Sequence, residues 1–310
     1  MASLRKLSLV ALVLAFAQIV FGAIVRITGS GMGCGDHWPK CAGAWFPPHD
    51  RIDLIIEITH RYLALALSIV ILALVIVAFL RKAERGVGGK GGVLTPSIIA
   101  GVLVVTAALL GAVTVKLALN PLVIVAHLTI AMSLLATLAV VYGRSGGLGL
   151  GHDMTDASPR TFRAARVAVL LTFVTLVFGA LTANLPDAAV SCTGFPWCFE
   201  YMIYGPALTV HVTHRIVAFL LAGHIIGMTI ATGKRREPPV IKRAARAAFG
   251  AVLLQIIVAG AMIGMNFPPE FRSLHQATGT LVWLCVVILA IVSARARGAG
   301  TAENMMRRAA

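Results

Sequence analysis

Long apolar segments alternate with shorter polar stretches along the whole chain. Eight of these segments reach the roughly 20 residues that a helix needs to cross a bilayer. We predict spans near 7–25, 54–80, 95–116, 121–143, 165–184, 208–232, 246–265 and 273–294. The first follows Arg5 and Lys6 like a signal peptide, but it has no clear small-residue cleavage site, so we interpret it as a span. The pattern predicts an all-α, polytopic membrane protein.

Composition agrees with this pattern and excludes a soluble domain. The 310 residues are 58% hydrophobic and only 13% charged, and the mean hydropathy is +0.89. The net charge is +15, but 20 of the 27 basic residues lie before span 1, between spans 2 and 3, 4 and 5, and 6 and 7, or after span 8. Alternating spans place these segments on one side, which the positive-inside rule makes cytoplasmic. We therefore expect a plasma-membrane protein with both termini inside, basic residues on anionic lipid, and no nucleic-acid partner.

The two halves of the chain repeat one pattern. QIVFGAIVRITGSG before the first outer loop aligns with TLVFGALTANLPDA before the third. A loop with two cysteines follows in each half, and then a helix with THR near its start. Because each half has four spans, both halves have the same orientation. We predict two repeated four-helix bundles, at 1–145 and 165–310, joined by a cytoplasmic linker at 146–164.

Four histidines occupy repeat-related positions in the spans. His60 lies in EITHRYLA and His214 in HVTHRIVA, while His127 and His275 lie in the last span of each half. Histidine is costly in lipid unless something binds it, and two histidines on separate helices can ligate a haem iron. A core histidine is the alternative for any one of them, and zinc is a weaker alternative for the set. All four fall in the outer third of their spans, which places two haem-sized sites under loops 26–53 and 185–207. We interpret the remaining candidates His37, His49, His152 and His224 as non-ligands.

Four of the five cysteines form two pairs in the outer loops. Cys34 and Cys41 flank six residues, and Cys192 and Cys198 flank five. Disulfides form and persist on the outer side of a membrane, so we predict one in each loop. Each disulfide either staples a loop or exchanges electrons with the site below it, and the first pair is the better redox candidate. Cys285 lies alone in span 8 as a small core residue.

The two halves differ at the position three residues before the first histidine. This position holds Glu57 in one half and His211 in the other, on the helix face of the histidine. Glu57 is a candidate for moving protons or orienting a water, and the alternative is an i,i+4 ion pair with Arg61. Arg61 and Arg215 follow the two THR histidines. They either bind haem propionates, which we favour, or extend to the interface.

The combination of TGSGMGCGDHWPKC, EITHR and a histidine in span 4, repeated in the second half, resembles the haem A synthase family of the CtaA and COX15 type. The resemblance covers all eight spans. It implies an oxidoreductase that converts haem O to haem A, for haem–copper oxidases, by oxidising a ring methyl to a formyl group. The implied partners are the substrate haem O, membrane lipid, haem O synthase and an electron donor.

The resemblance also assigns roles to residues. It implies that His60 and His127 frame haem O, and that His214 and His275 ligate a permanent haem b. It further implies that Glu57 is catalytically important and that Cys34 and Cys41 form the functional pair.

Two other functions fit eight spans. A dihaem b-type electron carrier without product formation would not need the difference between Glu57 and His211, and its haems would lie on opposite sides of the membrane. A transporter built on a parallel repeat would place polar groups and broken helices near the midplane. Neither pattern is seen in the sequence.

Overall fold

Eight long helices make up most of the described chain. The computed structural model describes residues 1–46, 48, 50–149, 158–198, 200–201, 204–235 and 237–309, with backbone alone at 200–201 and 296–309. The helices are α1 (Ala2–Ile27), α2 (Ile52–Leu80), α3 (Leu94–Lys116), α4 (Pro121–Arg144), α5 (Pro159–Asn184), α6 (Pro206–Lys234), α7 (Pro239–Gly264) and α8 (Pro269–Ala309). All eight are long and apolar enough to span a membrane, α8 over Pro269–Arg295. The predicted all-α, multi-pass membrane protein is confirmed. His49, His152 and residues 150–157 of the predicted linker lie outside the described residues.

Several helices begin earlier than the apolar pattern predicts. Helix α5 starts six residues, and α7 seven residues, before the predicted spans. Each begins at a proline, which suits the first helical position because its φ is preset and no N–H is needed there. The Ser158 side chain caps α5 by accepting the N–H of Arg160. The charged first turns thus continue the helices beyond the apolar core of the membrane, which hydropathy alone does not detect.

The helices have the same neighbours in both halves. Helices α1 to α4 contact one another in a ring, α1–α2–α3–α4 and back to α1, and α5 to α8 do the same. The halves meet where α8 contacts α1 and α4 and where α4 contacts α5. At this seam the Trp283 indole donates to the Met132 carbonyl oxygen at 2.8 Å and packs on the Phe173 ring with centroids 5.7 Å apart. The assignment of two separate bundles stays a prediction.

The outward faces of the helices are apolar. On α2, exposed side chains recur three or four residues apart, as one helix face requires. They are Leu65, Ile69, Leu72 and Ile76. The opposite face of α2 is buried in the protein through Leu67, Ile71 and Leu74. An apolar face of this kind is stable against lipid and costly in water, as expected for a spanning helix.

A disulfide closes the loop between α1 and α2, and another closes the loop between α5 and α6. Cys34 and Cys41 are bonded with Cα atoms 4.4 Å apart, and Cys192 and Cys198 with Cα atoms 5.2 Å apart. Both predicted disulfides are therefore confirmed by the geometry. The first loop also contains a short 3₁₀ helix (Ser30–Met32), and the second contains another (Ala188–Val190) and an antiparallel strand pair, β1 (Cys192–Thr193) with β2 (Glu200–Tyr201). Cys285 is a free, half-buried thiol.

Candidate functional site

A cavity of about 250 Å³ lies among the helices of the C-terminal half. His214 from α6 and His275 from α8 both line it, so the structure brings this predicted pair together. Most of the remaining wall is apolar. Two lining residues, Arg26 and Leu128, come from the N-terminal half. These two residues reach the cavity because α1 and α4 pack against α8 at the seam.

Helix α5 fixes the orientation of the His214 imidazole. The ring edge packs on Gly179, where an added Cβ would lie 2.9 Å from the imidazole Cε1. Nδ1 lies 3.1 Å from the carbonyl oxygen of Thr175, which can only accept a hydrogen bond. Nδ1 therefore carries the proton, and Nε2 keeps the lone pair that a metal ligand needs.

His275 is held by a side-chain network instead. The Gln255 amide nitrogen lies 3.1 Å from Nδ1 and 3.2 Å from Nε2 of the imidazole. The Thr278 hydroxyl donates to the Gln255 amide oxygen, which orients the amide so that its NH₂ faces the ring. No signal in the sequence singles out Gln255, because its role depends on the packing of α7 against α8.

His127, in the N-terminal half, is oriented like His214. Its Nδ1 lies 2.9 Å from the carbonyl oxygen of Ala107 on α3. A Cβ on Gly111 would lie 3.4 Å from its Cε1. A helical glycine and a carbonyl oxygen of a neighbouring helix thus position the imidazole in both halves. Nε2 is again left for a ligand.

The His60 side chain, on α2, packs against α1. A Cβ on Gly22 would lie 3.0 Å from its Nε2. The Phe21 ring stacks nearby, with centroids 6.3 Å apart and planes 13° from parallel. Within the described ranges, hydrogen bonds from protein groups reach its backbone carbonyl, from Gln18 at 3.0 Å, but not its imidazole. His60 is therefore the least constrained of the four side chains.

Glu57 connects α2 to the first disulfide loop. Its carboxylate is buried, and Oε2 accepts the backbone N–H of Cys34 at 2.7 Å. Oε1 accepts a hydrogen bond from the Arg61 guanidinium in a largely buried i,i+4 ion pair. The structure thus forms the ion pair that the sequence offers as an alternative to a chemical role. It adds a contact with Cys34 that the sequence does not indicate.

Arg61 contacts the first outer loop. Its Nη1 lies 2.8 Å from the carbonyl oxygen of His37, 3.2 Å from that of Pro39 and 2.9 Å from that of Lys40. Carbonyl groups that converge in a tight loop need donors, and a guanidinium provides several in one plane. These contacts and the one with Glu57 engage the guanidinium, and the favoured contact with a propionate stays a prediction.

Arg215 makes similar contacts with the loop between α5 and α6. Its Nη1 donates to the carbonyl oxygen of Gly194 at 2.8 Å, and its Nη2 to that of Cys192 at 3.2 Å. Its Nε donates to the Nε2 of His211 at 3.2 Å, while His211 Nδ1 contacts the Ala188 carbonyl oxygen at 2.8 Å. Arg215 also lines the cavity, so its predicted contact with a propionate stays a prediction beside its contacts with the loop.

The remaining candidates are structural where the chain is described. His224 Nε2 lies 2.8 Å from the Ala164 carbonyl oxygen, as a core histidine would. His37 contacts Arg61 through its backbone. Over the described ranges, no group of three or more His, Cys, Asp or Glu side chains is placed to hold a metal ion, so zinc gains no support.

Sequence comparison identifies the family. The match to the cytochrome oxidase assembly protein family, COX15-CtaA, extends over residues 5–287. The chain belongs to this family. It is also similar to three bacterial proteins named haem A synthase. They come from Staphylococcus saprophyticus (28% identical, 94% of this chain and 96% of the relative), Geobacillus kaustophilus (29%, 72% and 70%) and Alkalihalophilus pseudofirmus (28%, 69% and 71%).

Proposed function

We propose that this protein oxidises a ring methyl of haem O to a formyl group and so produces haem A for haem–copper oxidases. The proposal rests on two pairs of histidines at repeat-related positions, His60 with His127 and His214 with His275. The two members of each pair lie on separate helices. In each half, one of these imidazoles has its Nδ1 on a carbonyl oxygen and its Nε2 unused. The names of its relatives support the same activity.

In this proposal, His214 and His275 ligate a permanent haem b. The donor set suits the group, because imidazole nitrogens on facing helices are common haem ligands and the cavity between them is mainly apolar. Both imidazoles have hydrogen-bonded positions. Bound there, the haem iron would supply redox chemistry, while the protein supplies placement.

His60 and His127 then frame the substrate, haem O. His127 is held by Ala107, whereas the His60 imidazole is the less constrained of the two. A substrate site must release its product. An iron ligand that no protein hydrogen bond holds in the described chain, such as the His60 imidazole, therefore suits the substrate half better than the cofactor half. The substrate methyl is hydroxylated twice; each hydroxylation removes two electrons from the methyl carbon and inserts one oxygen atom, which a dioxygen or water co-substrate must supply, and the resulting geminal diol loses water to give the aldehyde.

Glu57 and the Cys34–Cys41 disulfide complete the proposed site. The disulfide holds the outer loop above α2. Its reduction to two thiols would take two electrons and two protons. Glu57 contacts the Cys34 backbone and is placed to take up or return those protons. We therefore keep Glu57, Cys34 and Cys41 as the candidate catalytic groups.

The proposed topology places both termini and the basic loops in the cytoplasm, and the cysteine loops outside the plasma membrane. Residues 1–145 form the substrate half and residues 165–310 the cofactor half, with Arg26 and Leu128 added to the second site. The proposed partners are haem O, membrane lipid, haem O synthase and an electron donor.

Chromatography of haems extracted from the purified protein tests this proposal. We expect haem b together with haem O and haem A from cells that make haem O. His60→Ala and His127→Ala should keep haem b and yield no haem A. The alternative is a dihaem electron carrier. It would contain haem b alone, and the alanine variants of His60 and His127 would lose as much haem b as those of His214 and His275.

A further inference from the structure

Besides Arg215, whose donors engage the second cysteine loop, two arginines line the cavity of the C-terminal half. Arg26 lies in the last turn of α1, and Arg272 in the first turn of α8. Arg272 precedes His275 by three residues, so the two side chains share one face of α8, one turn apart. Both residues line the same cavity as His214 and His275.

The two guanidinium groups carry like charges in a partly buried setting. The helices that carry them, α1 and α8, pack against each other. Arg26 donates to the Ala183 carbonyl oxygen at 3.1 Å. Among the described residues, neither arginine has a carboxylate within 4.0 Å. Two adjacent cations away from bulk water are unfavourable unless an anion joins them.

Neither arginine has a counterpart in the sequence repeat. Arg26 aligns with Ala183 in the motif before the outer loop, and Arg272 aligns with Ile124 when the two histidines are superposed. The sequence repeat therefore does not account for the presence of these two arginines. Their position at one cavity does account for it.

We propose that Arg26 and Arg272 bind the two propionate carboxylates of the permanent haem b. This rests on the function proposed above. The ligand has an apolar macrocycle with both carboxylates on one edge, and the cavity has apolar walls with both cations at its outer end. A guanidinium fork pairs well with a carboxylate. The propionate edge then faces the outside, and a residue of the first half secures the haem of the second.

Haem b and its dimethyl ester, which has no propionate charge, provide the test. The apoprotein is reconstituted with each, and transfer of the pigment to apomyoglobin gives its dissociation rate. We expect the wild type to hold haem b about tenfold longer than the ester, the order expected of charge-assisted hydrogen bonds. The double variant Arg26→Gln/Arg272→Gln should hold both equally.

The control is Arg51→Gln, which removes an exposed arginine paired with Asp53 at the outer end of α2. It should keep the wild-type preference. If the glutamine variants do not fold, Arg26→Lys and Arg272→Lys keep the charge and should shift the propionate bending bands in resonance Raman spectra. Unshifted bands would overturn the proposal.

The remaining outcomes separate this proposal from the function itself. An unchanged preference in the double variant would refute the propionate contact while leaving haem b in place. A wild type that holds haem b and the ester equally would refute it too, and would be expected if the arginines bind phospholipid instead. Haem b retained in His214→Ala would contradict the assignment of the site.

Discussion

Replacement of Glu57 by glutamine tests whether the carboxylate has a chemical role or only holds the loop. Glutamine keeps the size and one acceptor oxygen but loses the charge and the ability to take a proton. Its oxygen can accept the Cys34 N–H or the Arg61 guanidinium, and its NH₂ then faces the other donor. Glu57→Gln therefore loses one charge-assisted hydrogen bond and gains a donor–donor contact.

The structure sets the size of the structural effect. The Glu57 and Arg61 side chains are 5% and 12% exposed, so their pair is worth more than an exposed ion pair. Arg61 keeps three carbonyl acceptors in the loop, so its charge is not left without partners. We expect Glu57→Gln to lower the free energy of unfolding by about 1–3 kcal/mol. That leaves the fold and haem b content intact.

Haem A yield distinguishes the two roles. Loss of a general acid or base slows a reaction by about 10² to 10⁴-fold, so a chemical role predicts little haem A and accumulated haem O or hydroxylated intermediate. The assay is chromatography of haems extracted from cells that express each variant.

Two variants serve as controls. Arg61→Gln breaks the same ion pair but keeps the carboxylate, and His211→Gln changes the matching position in the other half. Both should make more haem A than Glu57→Gln. If Glu57→Gln makes near-normal haem A, or no less than Arg61→Gln, the chemical role is refuted and Glu57 is a structural residue.

Three further predictions concern the ligands and cysteines. His214→Ala or His275→Ala should strip haem b, because each removes one axial ligand; absorption spectra of purified variants check this, and full retention in both would contradict it. Thiol labelling of unreduced, denatured protein should modify Cys285 alone, whereas three or more labelled cysteines would exclude two native disulfides. Gly179→Ala should lower haem b content, because its Cβ would lie 2.9 Å from the His214 ring. Gly223→Ala, where no atom lies within 4 Å of the new Cβ, should not, and equal haem loss in both would exclude a steric cause.

The fold was predictable because its main signal is local. An apolar segment of bilayer length specifies a spanning helix regardless of its neighbours. Histidines at repeat-related positions and paired cysteines stand out in such a chain, so their positions identify them as candidates. Helix ends were less predictable, since Pro159 and Pro239 extend α5 and α7 through polar residues.

The contacts of the site depend on tertiary packing, which a sequence does not state. Arg61 and Arg215 donate to carbonyl oxygens of the cysteine loops, contacts that the sequence does not indicate. Arg26 enters the second cavity because α1 packs against α8 across the seam. The sequence does mark Arg26 as unusual. It is a charged residue at the end of an apolar span, on the side predicted to be outside, where basic residues are few.

The bond between Trp283 and the Met132 carbonyl has a consequence for turnover. This hydrogen bond joins α4, the helix of His127, to α8, the helix of His275. Separation of the two helices would expose the buried Trp283 indole. Helix α2 has lipid on one face and carries His60, whose ring has no protein hydrogen bond to break in the described chain. We expect a lateral opening to the lipid beside α2, through which the proposed substrate enters and its product leaves. Exchange of product for substrate would then move one helix and leave the proposed haem b in place.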